Sequence, residues 1–88
     1  MRSTAPYLSI LVPAYEYPAG VARILDVIAA DPTPEIEIIV SDDSRDERVH
    51  AIVSAREAAD PRVHYIRNSP PRGASANWNR LLRIARGV

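Results

Sequence analysis

Three β-prone runs alternating with three stretches of helical period constrain this chain more than any other feature of its sequence. Tyr7-Leu8-Ser9-Ile10-Leu11-Val12 carries the branched and aromatic residues that suit a strand, and Pro13, which cannot donate to a ladder, is expected to stop it. From Gly20 the apolar residues Val21, Ile24, Leu25 and Ile28 recur on one face of a helix, until Asp31-Pro32-Thr33-Pro34 ends it. Ile36-Glu37-Ile38-Ile39-Val40 is nearly continuously apolar at its end, as suits a parallel strand covered on both faces, and Ser41-Asp42-Asp43-Ser44 breaks it. A second helix is predicted over Glu47 to Ala59, with Val49, Ile52, Val53 and Arg56 at helical spacing and Asp60-Pro61 as its stop. Val63 to Ile66 reads as a third strand and Asn68 to Gly73 as a Pro/Gly loop. The third helix is predicted over Ala74 to Arg86, with Trp78, Leu81, Leu82 and Ala85 as its apolar positions and Gly87 as its terminator.

The order β-α-β-α-β-α implies right-handed crossovers and a parallel sheet with helices on its faces, a three-layer α/β/α, Rossmann-like fold with residues 1–88 in one domain. Such sheets take ligands in the crevice at the carboxyl ends of their strands. Three segments qualify: Pro13 to Ala19, Ser41 to Asp46, and Arg67 to Gly73. A sheet of three strands is thin, so the chain is expected to be part of a larger domain. Its open sheet edge makes pairing with a second copy, a homo-oligomer, an expectation as well.

Composition removes several chemistries. Cysteine is absent, which excludes disulfides, thiolate metal sites and cysteine nucleophiles. No run approaches the roughly 20 apolar residues of a membrane span, and no leader-like segment opens the chain, so cytoplasm is the expected compartment. All 11 basic residues are arginine, which rules out a lysine Schiff base or a P-loop lysine. The net charge of zero hides an uneven layout, because every acid lies in residues 1–60 and the last 28 residues hold arginine alone. Nucleic-acid binding through that arginine-rich end is disfavoured by the acidic remainder.

The loops carry the candidate chemistry. Asp42 and Asp43 follow a buried strand, where a carboxylate can accept hydrogen bonds from a base N–H or a ribose hydroxyl, while Ser44 or Asp46 is suited to capping. Tyr15 can lay its ring on a base; Tyr17 reads equally well as a surface aromatic. Arg72, beside Gly73 at the start of the third helix, can pair with phosphate, as can the helix N-terminus itself. Arg80, Arg83 and Arg86 read as a solvated helix face, and His50 and His64 as structural residues without ligand spacing. No Ser/His/Asp arrangement, glycine-rich phosphate loop or dinucleotide fingerprint is present. A receiver-type phosphoacceptor domain shares the alternation, but would need an acid pair after strand one and a late lysine.

Three blocks then resemble the N-terminal half of family 2 glycosyltransferases, which have the GT-A fold. They are Leu8 to Glu16 (LSILVPAYE), Ile36 to Asp46 (IEIIVSDDSRD), and Gly73 to Arg80 (GASANWNR) with Ala85-Arg86-Gly87. Together they span nearly the whole chain. The resemblance implies a binding surface for a nucleotide-sugar donor, commonly a UDP-sugar, used for transfer to an acceptor hydroxyl. It places Pro13, Ala14, Tyr15 and Glu16 around the base, Asp43 at the uracil edge with Asp42 beside it, and Arg72 or Gly73 near the segment that closes over the nucleotide. Glu16 stands where the family usually has Asn, Ser41 where it has Asp, and Ser44 where Gly is common. The family's divalent cation, Mn or Mg, is held by an Asp-x-Asp motif beyond the matching blocks, and its catalytic base lies further on. These 88 residues alone are therefore expected to bind no metal and to be inactive in transfer. A non-catalytic binding or assembly module of the same fold is the alternative reading.

Overall fold

The strand in the middle of this molecule has no solvent face. All seven residues of β2 (Ile36–Asp42) are buried, flanked by β1 (Leu8–Ala14) on one side and β3 (Val63–Arg67) on the other, in the order β1-β2-β3 with both pairings parallel. The computed structural model describes residues 8–31, 33–68 and 70–86. The helices are α1 (Pro18–Ala29), α2 (Arg48–Ala59) and α3 (Ala74–Ile84). Tyr7, Pro32 and Gly87, which the sequence reading used as a strand start and as helix stops, lie outside the described residues.

Strand parity sorts the side chains into two faces, because successive residues point to opposite sides. Ile10, Val12 and Ala14 of β1, Ile36, Ile38 and Val40 of β2, and Val63 of β3 meet Val21 and Leu25 of α1 and Val49 and Val53 of α2 in one apolar core. The helices α1 and α2 pack on each other over it, and α3 packs on β1 and β2 through the residues of the other parity. The expected three-layer α/β/α arrangement is present. At the amino end of the sheet, Arg62 binds two loops together: its guanidinium donates to Asp60 and to the carbonyl oxygens of Asp31 (2.7 Å) and Thr33 (2.9 Å).

Four boundaries differ from expectation for local reasons. Pro13 does not stop β1, which runs through it to Ala14 in register with Ser41 and Asp42. As an edge strand among the described residues, β1 loses no ladder bond to the missing N–H. Likewise Ser41 and Asp42 extend β2, and do not break it. Helix α1 begins at Pro18, where a first-turn proline sacrifices no helical hydrogen bond. Gly20 then lets the Tyr17 ring lie on the helix, since a Cβ there would meet that ring at 2.3 Å. Finally, α3 stops at Ile84 and not Arg86, because Ala85 turns extended and the Arg86 N–H donates to the buried Glu37 carboxylate at 2.6 Å.

The rotation of α3 also departs from its apolar pattern. Its buried positions are Asn77 and Leu81, leaving Trp78 44% and Leu82 57% exposed. A buried polar partner decides this, for the Asn77 amide donates to the Ser41 carbonyl at 2.9 Å and accepts from the Ser41 hydroxyl.

Candidate functional site

A cavity of about 820 Å³ opens at the carboxyl end of the sheet, between the end of β1 and the first turns of α3. Pro13, Ala14 and Tyr15 line it from β1, Asp43 and Arg45 from the segment after β2, and Pro71, Gly73, Ala74, Ser75, Asn77 and Trp78 from the α3 side. Of the eight residues singled out in the sequence, Pro13, Ala14, Tyr15, Asp43 and Gly73 are thus brought together. Glu16, Asp42 and Arg72 do not line the cavity, and each has another task.

Asp43 is the centre of the arrangement. Its Oδ1 accepts from the Arg72 N–H at 2.7 Å and the Asn68 side-chain amide at 2.8 Å, and its Oδ2 accepts from the Gly73 N–H at 2.8 Å. Burial by itself raises the carboxyl's pKa, but the donors from Arg72, Asn68 and Gly73 outweigh it and hold Asp43 below the usual range, so it is ionised at neutral pH. Arg72 therefore contributes its backbone N–H here, while its side chain stays exposed. Gly73 sits at φ 94°, a region that favours glycine, and that conformation aims its N–H at Asp43 as α3 begins.

Asp42 points to the opposite face. Its Oδ1 accepts the Ser44 N–H at 2.9 Å, and its Oδ2 accepts the Tyr65 hydroxyl at 2.6 Å, with the residue fully buried. Burial, reinforced by the bond to Asp42, pushes the Tyr65 phenol's pKa up. The His50 ring stacks on Tyr65 with centroids 4.9 Å apart, which gives that histidine the structural role expected. Glu16 adopts φ 48°, where its N–H reaches the Ser44 hydroxyl at 2.6 Å. Asparagine tolerates that left-handed conformation better than glutamate, which is a physical reason for the residue the family usually places there.

Sequence reasoning missed a buried polar network beneath the cavity. Asn68 bridges Asp43 and Asn77 through its amide nitrogen (2.8 and 2.9 Å), Asn77 locks onto Ser41, and Arg80 donates to the Asn68 carbonyl oxygen. Arg80 is accordingly half-buried and engaged, not part of a solvated face. Among the described residues no buried side-chain polar atom lacks a partner. An Asn-x-Asn pair in the third helix was the available signal, but apolar periodicity drew attention to Trp78 instead.

Among the described residues no group of three His, Cys, Asp or Glu side chains converges, and Asp43 is the one acid among the residues that line the cavity. No described helix is long and apolar enough to cross a membrane.

Comparison with known proteins agrees with the fold. The solved structure of the mannosyltransferase PcManGT from Pyrobaculum calidifontis, in complex with GDP-Man and Mn2+, superposes with a TM-score of 0.77 at 24% identity, over 94% of this chain and 25% of that one. An uncharacterized protein of Mycobacterium tuberculosis (strain CDC 1551 / Oshkosh) is 33% identical over 82 residues, which are 93% of this chain and 25% of that protein. The chain thus spans about a quarter of the length of these relatives. The sequence model of glycosyl transferase family 2 matches residues 9–88, nearly the whole chain, and the chain belongs to that family.

Proposed function

We propose that this chain forms the nucleotide-binding half of a glycosyltransferase whose donor is a UDP-sugar and whose acceptor is a hydroxyl group. The observation that carries the reading is the state of Asp43. A carboxylate offers about four lone-pair positions. Three are taken by Arg72, Gly73 and Asn68, which leaves one on Oδ2 at the cavity wall. Uracil presents a single N–H between two carbonyls, and so matches one open acceptor. Guanine presents two adjacent N–H groups and would leave one unmatched in a dry site, which costs affinity. The solved relative holds GDP-Man, so the base is the point to be tested.

Around that acceptor, the exposed Tyr15 ring offers a face for stacking, and the Arg45 guanidinium, with its side chain 76% exposed at the cavity rim, can meet a diphosphate. Among the described residues no three His, Cys, Asp or Glu side chains converge to hold the divalent cation that belongs to this reading. The part of the described residues is to bind the base and orient the nucleotide at the strand ends.

Calorimetric titration of the purified chain with UDP and with GDP tests the reading. UDP is expected to bind about tenfold more tightly than GDP, the worth of one hydrogen bond to a charged group, and Asp43→Asn should abolish the preference. Tighter GDP binding would overturn the uridine assignment; absence of binding by either would overturn the nucleotide reading itself.

A further inference from the structure

We infer that Trp78 is a second aromatic contact for the base, completing the platform that Tyr15 begins; this rests on the nucleotide reading above. Trp78 is the sole tryptophan of the chain and stands one residue beyond Asn77 on α3. Because α3 buries Asn77 and Leu81, four residues apart, the intervening Trp78 is turned out of the sheet contact and left 44% exposed. A large aromatic half in water contributes less to the core than its size allows, and such a residue beside a cavity marks a contact surface.

Its placement is specific. Ala74, Ser75 and Trp78 share one face of the first turns of α3, and all three line the cavity that Tyr15, itself 50% exposed, lines from β1. The helix carrying Trp78 is anchored at two points to the strand ends, through Arg72 and Gly73 to Asp43 and through Asn77 to Ser41. The backbone that carries the indole is therefore held at a set position relative to the Asp43 acceptor, and a ligand need not organise the helix. The other described tyrosines are occupied elsewhere, Tyr17 over Gly20 and Tyr65 with Asp42.

Two aromatic side chains with an ionised acceptor among mostly apolar lining define the ligand part by its chemistry. It has a flat π face and an N–H in the plane of the ring, which a nucleobase has and a hexose lacks. Pro13, Ala14, Pro71 and Ala74 give that surface flat apolar contact beside the two rings, and Arg45 and Ser75 stand in the same lining as polar partners for the rest of a nucleotide.

The single indole reports on its own environment. Titrating the chain with UDP or uridine should change Trp78 fluorescence in a saturable way, and free glucose should not. By calorimetry, Trp78→Ala should weaken UDP binding about 5- to 100-fold, the usual worth of one base–aromatic stack. Trp78→Phe, which keeps a π face, should retain affinity within about threefold on the same basis. Trp78→Leu, which keeps apolar bulk without a π face, should fall with the alanine variant and serves in its place if that variant does not fold. The inference is overturned if the leucine variant binds UDP like the parent while Tyr15→Ala still weakens binding, an outcome that leaves the nucleotide reading standing. It is also overturned, together with that reading, if the parent chain binds no UDP.

Discussion

Under α1 and α2 the sheet presents Ile10, Val12, Ala14, Ile38, Val40 and Val63, whereas under α3 it presents Glu37, Ile39 and Ser41 to a helix whose inner residues are Asn77 and Leu81. Both faces are covered, but by different physics. Apolar contact is non-directional, so the first face supplies stability while specifying position only through shape. Hydrogen bonds between buried groups are directional and costly to break, so the second face ties α3 to one register over the strand ends. That register brings Gly73, Ser75 and Trp78 up to Asp43. The two adjacent acids show the same division: Asp42 closes a structural contact with Tyr65 on the apolar side, and Asp43 faces the cavity.

The comparison predicts a graded set of responses. The largest belongs to the apolar face, where Ile38→Ala at a position 1% exposed should cost about 2–5 kcal/mol in urea unfolding. A smaller cost from Ile38→Ala than from Asn77→Ala would break the division of labour. Asn77→Ala should cost about 1–3 kcal/mol, because it leaves the Ser41 hydroxyl and carbonyl and the Asn68 amide short of a partner. Pairing Asn77→Leu with Ser41→Ala should recover part of that loss while shifting the Arg72 and Gly73 amide resonances, which would separate stability from register.

Acid should find the α3 face next. Burial raises the carboxyls of Asp43 and Glu37, but stronger hydrogen bonding lowers both below their ordinary values of 3.8 and 4.5. Their contribution is therefore complete above the unfolded-state pKa, about 4, and is lost as pH falls through the lower folded-state values. Urea midpoints measured downward from neutral pH should show this loss below about pH 4, and Asp43→Asn should flatten the decline. A slope unchanged in that variant would assign the acid sensitivity elsewhere. The smallest effect belongs to the exposed pair of Asp26 on α1 and Arg56 on α2. Asp26→Ala should move stability by less than about 1 kcal/mol, and less still in high salt.

Much of the fold was legible beforehand. The six elements, their order and the end of the sheet that carries the cavity all follow from periodicity and from the turn residues between the runs. Boundaries erred where a tertiary partner overrode a local rule: β1 passes through Pro13 because it is an edge, and α3 ends early because Glu37 captures the Arg86 N–H. Of the residues that line the cavity, Tyr15, Asp43 and Gly73 were readable from position and block pattern. Asn68, Asn77 and Trp78 were not, since a polar residue in a helix is by default a solvated one, and an apolar residue is by default in the core.

Sequence alone determined the alternation of strands and helices and the loops that meet at the strand ends, because periods of two and 3.6 residues are properties of each element by itself, and three motif blocks carried the family resemblance. Those periods say which residues share a face, not which face is turned toward which neighbour. Only the tertiary structure decided that Asp43 faces the cavity and Asp42 turns away, and that α3 seats Asn77 on Ser41 and leaves Trp78 outside. The reason is energetic: a buried amide without a partner costs more than a half-exposed indole, so the hydrogen bond sets the rotation of the helix.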